Sequence, residues 1–219
     1  MFGMDRTKTQ GDGVPQPEGL PEKTIVSPDT RRLERLPPRQ TRTRKWPVLD
    51  ASGAPEIDAG AWRFAVGGLV GKEVEWTWDE FLKLPRVRVF ADFHCVTRWS
   101  RLGNLWEGVA TRELIGLAGG ARPEAHFVMV HGYDRGWTTN LRLGDFLAED
   151  ALVAIRHDGE PITAEHGGPA RLIVPRLYAW KSAKWVARVE LIEKDRPGFW
   201  ERNGYHMRGD PWREERYGY

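Results

Sequence analysis

Apolar positions along the chain fall in short alternating runs. Trp62-Arg63-Phe64-Ala65-Val66 alternates before Gly67-Gly68, which predicts a strand and a turn, with Val74 to Trp76 as its partner. Val87, Val89, Ala91 and Phe93 alternate through Arg86 to Phe93, a strand that ends beside Cys95. Further strands are predicted over His126 to Val130, Ala151 to Arg156, Arg171 to Val174 and Trp185 to Ile192, with a turn at Asp158-Gly159. Three short helices punctuate them. Thr77-Trp78-Asp79-Glu80 has capping-box spacing and stops before Pro85. Thr111 to Ala118 ends at Gly119-Gly120, and Leu143 to Glu149 is the third. The pattern predicts an α+β fold, mostly β, with mixed sheets and short helices. No strand, Gly-rich turn and long helix follow one another, which argues against a doubly wound dinucleotide fold. No internal repeat is present.

The pattern also divides the chain. Residues 1–45 are rich in Pro and Gly and lack apolar periodicity, and from Arg31 to Lys45 they carry Arg31, Arg32, Arg35, Arg39, Arg42, Arg44 and Lys45 against the acid Glu34. They read as a basic, Pro-rich arm, solvated unless its end near Arg44-Lys45-Trp46 folds back over an anion. Its aromatics are not interleaved with its basic residues, so nucleic acid is not the expected partner. Residues 46–193 form the expected globular domain. Residues 194–219 hold Phe199, Trp200, Tyr205, His206, Trp212, Tyr217 and Tyr219. Such aromatic density is foreign to disordered tails and predicts an ordered extension wrapped on the domain and walling its site.

Composition narrows the setting. The 219 residues are 40% hydrophobic, a modest share that eleven large tryptophans make sufficient for a core. A net charge of +2 points to no strongly charged partner. No apolar run approaches the roughly 18 residues of a membrane span, and no apolar export segment follows Met1 or the twin Arg31-Arg32. Cys95 is the only cysteine, so no internal disulfide is possible, and a reducing, cytoplasmic setting is expected.

Candidate chemistry centres on that thiol, in Phe93-His94-Cys95-Val96-Thr97-Arg98-Trp99-Ser100. It is inert, a nucleophile, or one soft ligand to a metal held mainly by something else. Zinc needs about four clustered N, S or O ligands, and the histidines show no such spacing. A nucleophile needs a base, and His131, His157 or His166 is available only if the fold brings it near. The third role requires a separate anion-binding cluster. One candidate runs through His166-Gly167-Gly168-Pro169-Ala170-Arg171 and on through Tyr178-Ala179-Trp180-Lys181-Ser182-Ala183-Lys184-Trp185. Its glycines permit close backbone approach, and Arg171, Lys181, Ser182 and Lys184 supply donors for phosphate oxygens. A charged surface loop would read the same way.

Taken together these segments resemble the molybdopterin-binding catalytic domain of the sulfite oxidase family. The matching residues are Cys95-Val96 with Trp99-Ser100; Trp106-Glu107-Gly108-Val109; Asp158-Gly159-Glu160-Pro161; His166 to Pro169 with Arg171; and Val174-Pro175 with Tyr178 and Lys181 to Lys184. The likeness spans Trp46 to the C-terminus. It is nearest in kind to small bacterial sulfite oxidase-like oxidoreductases and the catalytic subunit of periplasmic methionine sulfoxide reductase. It implies the sulfite oxidase catalytic-domain fold, molybdopterin with molybdenum as cofactor, and oxo transfer to or from a small sulfur- or nitrogen-containing molecule.

Carried over residue by residue, Cys95 is the implied molybdenum ligand, with His94 beside it among the cofactor contacts. His166 and Arg171 match further contacts, and Lys181, Ser182, Ala183 and Lys184 match the segment around the pterin phosphate. Arg44, Pro47, Val48 and Asp134 match more loosely. Arg98 and Arg101 become electrostatic partners for an anionic substrate. Trp137 stands where sulfite oxidases place an active-site Tyr, and offers an N–H but no titratable hydroxyl. That change, and a run after Cys95 unlike the Arg-rich one of true sulfite oxidases, argue against sulfite. With no haem domain, a separate haem, flavin or quinone protein is the expected electron partner. The competing readings are a non-catalytic cofactor-binding module, an interaction protein using the basic arm, and a cofactor-free Cys-nucleophile hydrolase.

Overall fold

Short strands with one apolar face are stable only when sheets stack or helices cover them. The computed structural model describes residues 19–51, 53–134 and 136–218. It shows two mixed sheets with short helices between strands, α+β and mostly β.

The first sheet has seven strands. β1 (Ile25–Val26) runs parallel to β5 (Val87–His94), which pairs antiparallel with β6 (Trp99–Ala110). β2 (Thr41–Thr43) runs parallel to the start of β6. The far end of β6 pairs with β9 (Leu152–His157), which also takes β10 (Glu160–Pro161) and β11 (Arg171–Ile173). The second sheet has the order β4 (Val74–Thr77), β3 (Arg63–Gly68), β12 (Val186–Ile192), β7 (Phe127–Gly132), β8 (Thr138–Arg142). Only β3 and β12 are parallel there. The helices are α1 (Trp78–Phe81), α2 (Thr111–Leu117), α3 (Leu143–Phe146) and α4 (Phe199–Arg202). At α1 the predicted capping box is formed: Glu80 N donates to Thr77 Oγ1, and Thr77 N donates to Glu80 Oε2 at 2.8 Å.

Alternation decides which residues meet. Val109, Val153 and Leu172 leave one face of the first sheet and join Phe64, Val66, Val128, Val130 and Val189 of the second in the main core. Trp106, Leu152, Ala154 and Ile173 leave the opposite face and form a smaller core with Val89, Ala91 and Phe93. The first sheet is therefore covered on both faces. Among the described residues no helix is long and apolar enough to cross a membrane.

Two expectations need correction. The described part of the basic arm is not solvated chain. Ile25 packs against the smaller core, Ser27 Oγ donates to the buried Asp150, and Arg35 pairs with buried Asp92 at 2.5 Å. Pairing β1 and β2 to the sheet satisfies edge N–H and C=O groups that would otherwise stay open. Residues 1–18 lie outside the described residues. The second correction is β6, which the hydrophobic pattern did not reveal. Its register shifts opposite Ala91/Phe93 and at Glu107/Gly108, which breaks the alternation. Gly108 is required there, because a Cβ would sit 2.0 Å from Val153 O.

Candidate functional site

The tip of the β5–β6 hairpin sets the thiol. Cys95 N donates to Trp99 O at 2.8 Å, and Cys95 O accepts from Arg98 N and Gln40 Nε2, each at 3.0 Å. Arg98 takes φ +73 to close the turn. The thiol is buried, with Sγ 3.2 Å from Thr97 Oγ1. Burial pushes the Cys95 thiol up from its ordinary value, and the Thr97 contact pulls the other way.

Cys95 lines a cavity of about 230 Å³. The same cavity is lined by Pro47, Asp134, Trp137, His166, Arg171, Ser182 and Lys184, so the structure brings together much of what the sequence singled out. The cationic end is built by two linked loops. Leu172 N donates to Ala183 O, Trp185 N to Gly167 O, and Val186 N to Ala170 O. Gly167 adopts φ +103, and a Cβ on it would meet Lys184 Cα at 2.9 Å, so only glycine fits.

Arg171 opens β11 within these loops. The residue is 3% exposed, and Nη1 and Nη2 donate to the carbonyls of His166 (2.6 Å) and Ser182 (2.7 Å). Its Nε is buried without a partner, and no carboxylate pairs with it among the described residues. Burial lowers its pKa to about 9, a sign of an uncompensated cation. Lys184 Nζ donates to Glu165 O and lies 3.6 Å from Asp50. Its pKa falls to about 8, by burial first and then by the charge of Arg171. His166 is held by Trp46: Nε2 donates to Trp46 O at 3.0 Å and the rings stack at 3.9 Å. Thr163 Oγ1 lies 3.0 Å from Nδ1, and burial lowers the His166 pKa from its ordinary value, against the Trp46 hydrogen bond.

Other expected contacts lie elsewhere. Arg44, Val48 and Arg98 are exposed. His94 is buried behind the hairpin, with Nδ1 on Ser100 Oγ at 2.8 Å. Arg101 does not line this cavity: it pairs with Asp158 at 2.6 Å and contacts Asn104 and His157 Nε2. Lys181 is fully buried and donates to Glu201 Oε1 at 2.5 Å and to Asn140 O, Asn140 Oδ1 and Met207 O. It clamps the tail to the domain, and Ala183 lies behind the cavity wall. The further lining residues are mainly aromatic, and of these the sequence reading expected only the tail, with Trp200 and Tyr205, as a wall of the site. Trp46, Trp99, Trp180, Trp185 and Trp200 line the cavity, as do Thr97, Asp50 and Tyr205. The signal available was the tryptophan content itself, together with the aromatic tail.

Comparison with known proteins gives the family. The sequence profile of the oxidoreductase molybdopterin binding domain matches residues 51–200. An uncharacterized oxidoreductase of Bacillus subtilis, YuiH, is 47% identical over 84% of this chain and 92% of its own length. A putative protein-methionine-sulfoxide reductase subunit of Azospira oryzae, YedZ1, is 29% identical over 83% of this chain and 69% of its own. Among solved structures, the sulfane dehydrogenase SoxCD from Paracoccus pantotrophus superposes with TM-score 0.60 at 25% identity. That match covers 65% of this chain and 41% of the SoxCD chain, so this chain spans about two fifths of it.

Proposed function

The chain belongs to the oxidoreductase molybdopterin binding domain family, and from that premise we propose that it exchanges an oxygen atom with a small sulfur- or nitrogen-containing molecule at molybdenum ligated by Cys95. Its cofactor is molybdopterin with molybdenum. The residues fit that group. One soft donor, Cys95 Sγ, and one buried guanidinium without a carboxylate, Arg171, line the same cavity. That juxtaposition is the observation that carries the reading.

The bound group supplies two-electron oxygen-atom exchange. The protein supplies the rest. Cys95 would hold the metal through Sγ, giving up its proton to do so. Arg171 and Lys184 neutralise an anionic group at their end. His166, held in place by Trp46, adds a directional contact. The tryptophans that line the cavity give it apolar walls, where such interactions are stronger than in water. Electrons pass to or from a separate haem, flavin or quinone protein. The hydrolase alternative lacks its base: among the described residues, the hydrogen-bond partner of Cys95 Sγ is Thr97 Oγ1. No three His, Cys, Asp or Glu side chains cluster as a protein-only metal centre among the described residues either.

The test is protein purified from molybdenum-replete cells, with metal and pterin measured per chain. About one of each is expected, and Cys95→Ser lowers the metal at least tenfold while the chain stays folded. Folded wild-type protein with near-zero metal and pterin overturns the reading. Metal retained in full by Cys95→Ser overturns the ligand assignment alone. Reduction of the centre by sulfite, set against its reoxidation by sulfoxides or N-oxides, assigns the direction. A loaded protein inert to all of them is a binding module.

A further inference from the structure

The cavity has two ends of different chemistry. All its charged lining residues other than the thiol sit together: Lys184 lies 3.6 Å from Asp50, and its charge interacts with Arg171 and Asp134. The part of the lining that packs with Cys95 is Val96, Trp180, Trp200 and Tyr205. The two arginines expected to serve an anion there are turned away, Arg98 to solvent and Arg101 to Asp158. The Cys95 end therefore suits an uncharged molecule with apolar substituents.

Such a molecule still needs one polar contact to fix the oxygen it carries. The hydroxyl-bearing residues that line the cavity are Thr97, Ser182 and Tyr205. Ser182 Oγ is held by Val174 N, from which it accepts at 2.9 Å while keeping its own O–H, and Thr97 Oγ1 is engaged with the thiol. Tyr205 Oη makes no hydrogen bond among the described residues. Its ring is set firmly: it stacks on Trp200 at 4.9 Å and meets the edge of Trp180 at 5.1 Å. Its N–H donates to Trp200 O, and Tyr205 bridges to Tyr217. The tail that carries it is tied down on both sides, by Glu201 and Met207 O on Lys181 and by Arg216 Nη1 on Val96 O at 2.6 Å. A free hydroxyl on a clamped ring beside the thiol is a poised donor.

We propose that Tyr205, supplied by the C-terminal tail, donates a hydrogen bond to the oxygen of an uncharged S- or N-oxide with apolar substituents, held at the Cys95 end of the cavity. This rests on the oxygen-transfer reading above and deepens it to a substrate class and an orienting residue. Burial first, then the charges of Tyr217 and Cys95, raise the Tyr205 pKa, so the phenol keeps its proton through neutral pH.

The test uses the metal-loaded enzyme and the non-reacting mimic dimethyl sulfone, with sulfate as the anionic comparison, followed by quenching of the cavity tryptophans. Wild type is expected to bind the sulfone at least tenfold more tightly than sulfate. Tyr205→Phe, which keeps the ring stack, is expected to weaken sulfone binding about tenfold, in line with one lost hydrogen bond, and to lower kcat/KM for dimethyl sulfoxide at least as much. Metal and pterin per chain and the melting temperature stay unchanged in that variant. Equal sulfone affinity and turnover in Tyr205→Phe, with full metal, overturns the role of Tyr205 and leaves oxygen transfer standing. Tighter binding of sulfate than of sulfone overturns the substrate class. Wild-type protein without metal and pterin overturns both the inference and the reading beneath it.

Discussion

At the scale of single residues, the cavity is decided by charges that are answered and one that is not. Arg101 has Asp158, Lys184 has Asp50, and Lys181 has Glu201. Arg171 has two carbonyls and no carboxylate. A buried cation left this way costs the fold free energy until an anion arrives. Arg171→Gln is therefore expected to separate binding from stability. Pterin per chain falls at least tenfold, because a charge-assisted contact is lost. The cofactor-free chain changes stability by no more than about 1 kcal/mol, since lost bonds to carbonyls are offset by relief of the desolvated charge. Pterin analysis and urea unfolding check the two halves. Unchanged pterin content would remove Arg171 from the binding end. The distinction between answered and unanswered arginines was invisible in the sequence. Arg101 and Asp158 are 57 positions apart, so only the β6–β9 pairing shows that Arg101 is spoken for.

At the scale of elements, the loop after β11 and the tail around α4 are joined by one buried ion pair. Lys181 Nζ and Glu201 Oε1 are 2.5 Å apart, and both side chains are fully inaccessible. Trp180 Nε1 also donates to Glu201 Oε1 at 2.9 Å. Breaking such a pair from one side leaves a stranded charge, worth about 3–5 kcal/mol. Lys181→Met and Glu201→Gln are each expected to lose about that much in urea unfolding. The double variant recovers at least half, because neither charge is then orphaned. Additive losses would mean that the two side chains act independently. The sequence reading placed Lys181 at the cofactor, since Lys beside Ser182 and Lys184 suits a phosphate; the partner that claims it lies 20 positions on, in the tail. Elements made by local rules were legible: the Thr77–Glu80 capping box and the alternating β5 both form as read. Elements made by distant pairing were not. β1 and β2 exist because Ile25 meets Val89 and Thr41 meets Trp99. The site divides likewise. Cys95, His166 and Arg171 stood out by chemistry at turns, whereas the indole walls and Tyr205 come from segments that only the folded chain unites.

At the scale of the whole molecule, acid should loosen the sheet that carries the thiol. His94 and His157 are both held neutral by burial, each with its pKa lowered from 6.5 to about 4. Around His94, Asp92 and Asp29 favour the proton, while Arg35 and Arg32 oppose it. His157 is wedged between Trp46 and Trp106, 4.3 Å from each ring, and Asp158 partly offsets its burial. The folded values lie below the unfolded one, so this stability is full above pH 6.5. It drains as pH falls, and is gone below about 4. The full shift of His94 is worth roughly 3 kcal/mol, a large part of a typical margin of about 5–15 kcal/mol. His94 sits one residue from Cys95, and His157 lies under Trp46, which holds His166. Both therefore act on walls of the same cavity. Urea unfolding of the cofactor-free chain between pH 6.5 and 4 is expected to lose at least about 3 kcal/mol. His94→Asn, which cannot take up the proton, flattens that slope by roughly half. In loaded protein, molybdenum release follows the same window. A slope that His94→Asn leaves untouched would move the acid sensitivity away from the Cys95 hairpin, to carboxylates elsewhere on the sheets.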